Sequence, residues 1–139
     1  MLVIACRGDN PIPTQPLVVD PVGEYQMSMY NGMPVPSEDS RTLQRSTHML
    51  GGSIRFSTDG TFEERRRVRT VTAQASTEAT IPINGTYTYS RNTLTMLVES
   101  NDRTVLFSIP ATFTDNSVSF TWRVEANGNV STFSFVYRR

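Results

Sequence analysis

From Gly23 to the C-terminus, apolar and polar residues alternate one by one, and no stretch sustains a period of 3.6. A side-chain period of two belongs to strands with one dry and one wet face, so this alternation commits the chain to β-structure. Eight segments carry it. The first spans 23–30, with Tyr25, Met27 and Met29 on one parity. The second spans about 49–58, with Ile54 and Phe56 inward, and the third starts at Thr61, with Phe62 and Val68. The fourth holds Ile81, Ile83, Tyr87 and Tyr89, and the fifth Leu94, Met96 and Val98. The sixth runs from Val105 through Phe107, Ile109 and Ala111 to Phe113. The seventh holds Val118, Phe120, Trp122 and Val124, and the eighth Phe133, Phe135 and Tyr137. This register places all seven Phe, the single Trp and four of five Tyr on the inner face, leaving out Tyr30. A one-residue slip would expose the whole set.

Turn chemistry separates the segments: Asn31-Gly32, Asp59-Gly60, Asn84-Gly85, Asn101-Asp102, Asp115-Asn116 and Asn127-Gly128-Asn129. Between Asn31 and His48 the composition is polar and carries Pro34 and Pro36, which reads as a loop with room for a helical turn near Asp39–Arg45. Consecutive strands with short connections form an antiparallel meander. Pairing the first strand with the eighth removes both edges, so the expected fold is all-β, an eight-stranded antiparallel up-and-down barrel. Pro82 and Pro110 fall on the outer parity within strands and each marks a bulge or an edge.

The N-terminal segment differs in kind. Pro11, Pro13, Pro16 and Pro21 exclude regular helix, so the barrel over 23–139 is expected to follow a flexible, disordered Pro-rich tether that starts at Cys6 and ends at residue 22. Ahead of it, Val3-Ile4-Ala5-Cys6 resembles the lipobox of bacterial lipoprotein signal peptides: an aliphatic residue, a tolerant position, a small residue and Cys. The resemblance implies that residues 1–5 are the remnant of a signal peptide and that Cys6 is the lipidation site. It also implies a membrane partner through the acylated Cys6 and a location in the cell envelope, on the outer-membrane or periplasmic side in a diderm bacterium, because Arg rather than Asp follows the Cys. Several acyl chains anchor stably where one is marginal.

Over 23–139 the chain resembles small lipocalin-like bacterial lipoproteins. The residues that carry this are Gly23-x-Tyr25, Asn31-Gly32-x-Pro34, Gly51-Gly52-Ser53-Ile54-x-Phe56, Asp59-Gly60-Thr61-Phe62, Gly85-Thr86-Tyr87-Thr88 and the terminal Tyr137-Arg138-Arg139. Gly23-x-Tyr25 stands where lipocalins have Gly-x-Trp. The resemblance implies that a late arginine, Arg138 or Arg139, packs across that ring.

Composition narrows the chemistry. All thirteen basic side chains are Arg and are balanced by thirteen acidic residues, so no net field draws in nucleic acid. One Cys and one His exclude a disulfide framework and any site built from two of either. His48 has no nucleophile motif beside it, so no catalytic residue, cofactor or metal site is expected and the chain reads as a non-enzyme. The densest charge run, Glu63–Arg69, is either a solvated strand or a basic rim for an anionic ligand. Glu64 and Arg66 share the parity of Phe62 and Val68 and so point inward or to the mouth. The candidate ligand-binding residues are therefore Arg66, Glu64, Tyr87, Tyr89, Phe107 and Trp122. The expected role is a monomeric, lipid-anchored binding module for a small apolar or amphipathic ligand. The alternative is a filled barrel that acts as an envelope scaffold or inhibitor for a protein partner.

Overall fold

The computed structural model describes residues 20–100 and 104–139, so Cys6, the lipobox-like residues, most of the tether and Asn101-Asp102 lie outside the described residues. Ten strands follow in order: β1 (Gly23–Tyr30), β2 (Met33–Pro34), β3 (Ser37–Arg41), β4 (Arg45–Phe56), β5 (Thr61–Thr72), β6 (Ser76–Ser90), β7 (Thr93–Glu99), β8 (Val105–Thr114), β9 (Ser117–Ala126) and β10 (Asn129–Arg138). Each of β4 to β9 pairs antiparallel with the next. β1 pairs with β10 on one side and β4 on the other, which closes an eight-stranded barrel of β1 and β4–β10. The fold is the expected all-β meander, with a geometry compatible with a lipocalin-like barrel.

The base of the barrel is the end where Gly23, the turns after β4, β6 and β8, and Arg139 gather. Two-residue turns with left-handed backbone join β6 to β7 at Arg91-Asn92 and β9 to β10 at Asn127-Gly128. Such turns match the strand twist, which is why Asn and Gly dominate them.

Four expectations need correction. The 31–48 segment is not a loop with a helical turn: β2 and β3 extend the sheet, β3 pairs with β4, and His48 lies within β4. Thr42 Oγ1 accepts from the backbone N–H of Arg45 at 3.1 Å, which fixes a tight turn before β4 and leaves no length for a helix. Asn84-Gly85 is no turn but lies inside β6. A Cβ at Gly85 would stand 2.8 Å from Cε1 of Phe62 and would overlap the Leu97 carbonyl, so Gly is there to let neighbouring strands close in. Tyr30 is inside, at 4% exposure. The bulge between Met27 and Met29 reverses the parity of β1, which turns Tyr30 inward and takes Met29 out of the core. Phe107, expected inside, is 37% exposed.

The core fills the lower barrel. Tyr25, Phe56 and Tyr87 pack edge to face, and Phe120 stacks between Phe135 and Tyr137. Arg139 closes the base. Its guanidinium lies 5.0 Å from the Tyr25 ring centre and donates to the carbonyls of Val22 at 2.9 Å and Asp115 at 2.7 Å. Of the two terminal arginines, Arg139 thus packs across the aromatic of Gly23-x-Tyr25.

Candidate functional site

The alternation of β5 divides its charge run between two environments. Glu63 and Arg65 pair on the outer surface, and Arg69 reaches Glu78. Glu64 and Arg66 face the interior. Glu64 is completely buried. Its Oε1 accepts from Arg66 Nε at 2.7 Å and its Oε2 from Arg66 Nη2 at 3.1 Å, and the Tyr137 hydroxyl donates to Oε1 as well. A buried ion pair is tolerable only when the remaining lone pairs are satisfied, and three donors on one carboxylate meet that condition. The Arg66 guanidinium lies 4.5 Å from the Trp122 ring centre and 4.1 Å from that of Phe135. Its charge is therefore balanced by Glu64 and stabilised by π-faces.

Burial, together with the Glu64 charge, pushes the Tyr137 phenol well above the ordinary tyrosine value. Tyr30 is raised too, first by burial and then by Asp39, to whose carboxylate its hydroxyl donates at 2.6 Å.

Above this ion pair the barrel is hollow. A cavity of about 440 Å³ opens at the mouth, walled by Tyr30, Met49, Val68, Ile81, Trp122 and Phe133, with Arg66 among its lining and Asp39 and Arg45 at its rim. That volume lies in the range of small-molecule sites, roughly 300–1,000 Å³. The interior is thus packed below Arg66 and open to the mouth above it. A larger depression of about 700 Å³ lies outside the barrel, between Arg55, Asp59, Glu63, Asn84 and Glu99. Its lining is mostly polar and charged, with Phe62 as the one large apolar side chain.

Six candidate residues thus occupy three different places. Arg66 and Trp122 line the cavity, and Glu64 holds Arg66 from behind. Tyr87 and Tyr89 point to the base: the Tyr87 hydroxyl donates to the Ser57 carbonyl at 2.8 Å, and that of Tyr89 to Asn92 Oδ1 at 3.2 Å. Phe107 stands outside the cavity lining, its ring 4.7 Å from that of Trp122 and perpendicular to it. Sequence reasoning passed over Tyr30, Met49 and Asp39. The first two follow bulge-shifted parities, and Asp39 is carried in by a strand too polar to be read as one.

The sequence matches no protein-family model, and no curated protein is significantly similar to it.

Proposed function

We propose that this chain is a non-enzymatic binding module that takes a small apolar or amphipathic molecule into the mouth of its barrel. The observation that carries this is the 440 Å³ cavity, with an apolar wall over a floor whose buried charges already satisfy one another. Cavities that stay open in folded proteins are apolar, and an apolar guest fills them without stranding a polar group. His48 Nε2 is engaged with Ser46 Oγ at 3.2 Å, and Asp39 at the rim accepts from the Tyr30 hydroxyl at 2.6 Å.

The test is titration with the neutral fluorophore N-phenyl-1-naphthylamine. Trp122 is the only tryptophan and sits on the cavity wall, so it reports directly. Saturable energy transfer from Trp122 is expected, and it should vanish in Ala79→Phe, which puts a bulky ring on the cavity lining without adding a second tryptophan. Non-saturable partitioning that Ala79→Phe leaves unchanged would reject the reading.

The Val3-Ile4-Ala5-Cys6 run supports placing the module in a bacterial cell envelope, held to the membrane by acylated Cys6. Metabolic labelling with a fatty acid tests it: label lost in Cys6→Ala supports the anchor, and label absent from the native chain removes it.

The alternative reading is docking of a protein partner. Leu43, Leu106 and Val130 are exposed near the mouth, where an apolar contact could form.

A further inference from the structure

Among the described residues the barrel wall is incomplete on one side of the mouth. β9 pairs with β10 over ten residues but with β8 over only four, Ala111–Thr114 with Ser117–Phe120. Residues 105–110 of β8 and 121–126 of β9 are not laddered to each other. β6 meets β7 only from Asn84 onward, so residues 76–83 have no strand on that flank among the described residues. Both strand prolines lie along this gap. Pro82 pairs with Arg65, and Pro110 with Thr95. A proline cannot be the hydrogen-bonded member of an antiparallel pair, so each donor-less nitrogen faces the other flank, where the ladder is missing or ends. The cavity touches every barrel strand except β7 and β8, the two on this side. Ile81 and Val124, exposed members of its wall, lead from it to the gap, which the Phe107–Trp122 contact bridges.

The charges add a second constraint. Arg66 and Glu64 cancel, and Asp39 and Arg45 at the rim are of opposite sign. No uncompensated charge waits inside for a head group, whereas the wall and the notch present apolar surface.

We infer that the ligand is a single-chain amphiphile bound by its tail: the hydrocarbon passes sideways through the notch between β8 and β9 into the cavity, and the polar head stays in water. Phe107, resting edge-on against Trp122, is the gate. This rests on the cavity being the ligand site and adds the ligand's class, orientation and route. Tail recognition makes affinity depend on chain length and not on head charge.

The experiment titrates the purified protein with oleate, monoolein and oleoyl-lysophosphatidylcholine, below their aggregation limits, with Trp122 fluorescence as the readout. The three dissociation constants are expected to agree within about threefold, and each methylene removed from the buried chain weakens binding about fourfold. Stopped-flow mixing then follows the route. Phe107→Ala is expected to raise association and dissociation rates together by about fivefold, the worth of an edge-to-face contact. Pro110→Val, which restores a donor toward β9, should slow both. Binding of all three with oleate preferred more than about tenfold, the mark of a charge-assisted contact to the head, would overturn tail recognition. Saturable binding with rates untouched in both variants would overturn the lateral route. Failure of every amphiphile to bind would instead defeat the cavity reading itself.

Discussion

Removing Arg66 alone would strand a carboxylate in the barrel. Arg66→Met is expected to cost about 3–5 kcal/mol in urea unfolding, because Glu64 is fully buried and loses two of its three donors. The double variant Glu64→Leu/Arg66→Met should recover much of that loss, since replacing both charges leaves none unpaired. Equal losses in the single and double variants would show the ion pair to be incidental. Tyr137 sets the response to alkali. Its phenol, like those of Tyr25, Tyr30 and Tyr87, is raised above 10.0 in the fold, chiefly by burial. A raised acid favours the folded state while protonated. These contributions are complete below about pH 10 and are lost as pH rises beyond it. Thermal melts are expected to be flat from about pH 8 to 10 and to fall steeply above. Tyr137→Phe should lower stability near neutrality by about 1.5–3 kcal/mol, the worth of a hydrogen bond to a charged acceptor, and make the alkaline fall shallower.

Strand β6 shows what the element scale adds. Gly85 sits where a Cβ would meet Phe62 and the Leu97 carbonyl, so Gly85→Ala is expected to destabilise by about 1–3 kcal/mol, read by urea midpoint, and to loosen the β6–β7 ladder. Asn84-Gly85 looked like a turn because the same dipeptide serves both purposes, and only the neighbouring strand tells them apart. Alternation placed Tyr25, Phe56, Phe120, Phe135 and Tyr137 correctly, since each lies on a strand segment without a shift between it and its core partners. It misplaced Tyr30 because a bulge is a property of two paired strands and leaves no mark on one. The inward turn of Glu64 and Arg66 was legible from parity, but their partner was not: Tyr137 lies 73 residues away in sequence. The prolines signalled interruptions, and pairing showed that both interrupt the same side.

At the scale of the whole molecule the two barrel ends do different work. The base is held by side-chain bonds from the last residue, and Arg139→Ala is expected to lower stability by about 1–2 kcal/mol while leaving ligand affinity unchanged, because Arg139 lies at the end away from the cavity. Among the described residues the mouth has an incomplete ladder, an open cavity and exposed apolar side chains. This asymmetry, closed below and notched above, is the basis of the proposal that the barrel is a container with a side passage. Amide hydrogen exchange with and without oleate tests it most directly, because exchange reads strand pairing residue by residue. Amides of 77–81, 105–109 and 121–126 that face the gap should exchange fast in the free protein and become protected when oleate binds, while those of Ala111–Thr114 and Ser117–Phe120 stay slow throughout. Uniform protection along β6, β8 and β9 in the free protein, or oleate protection confined to the base, would contradict the account.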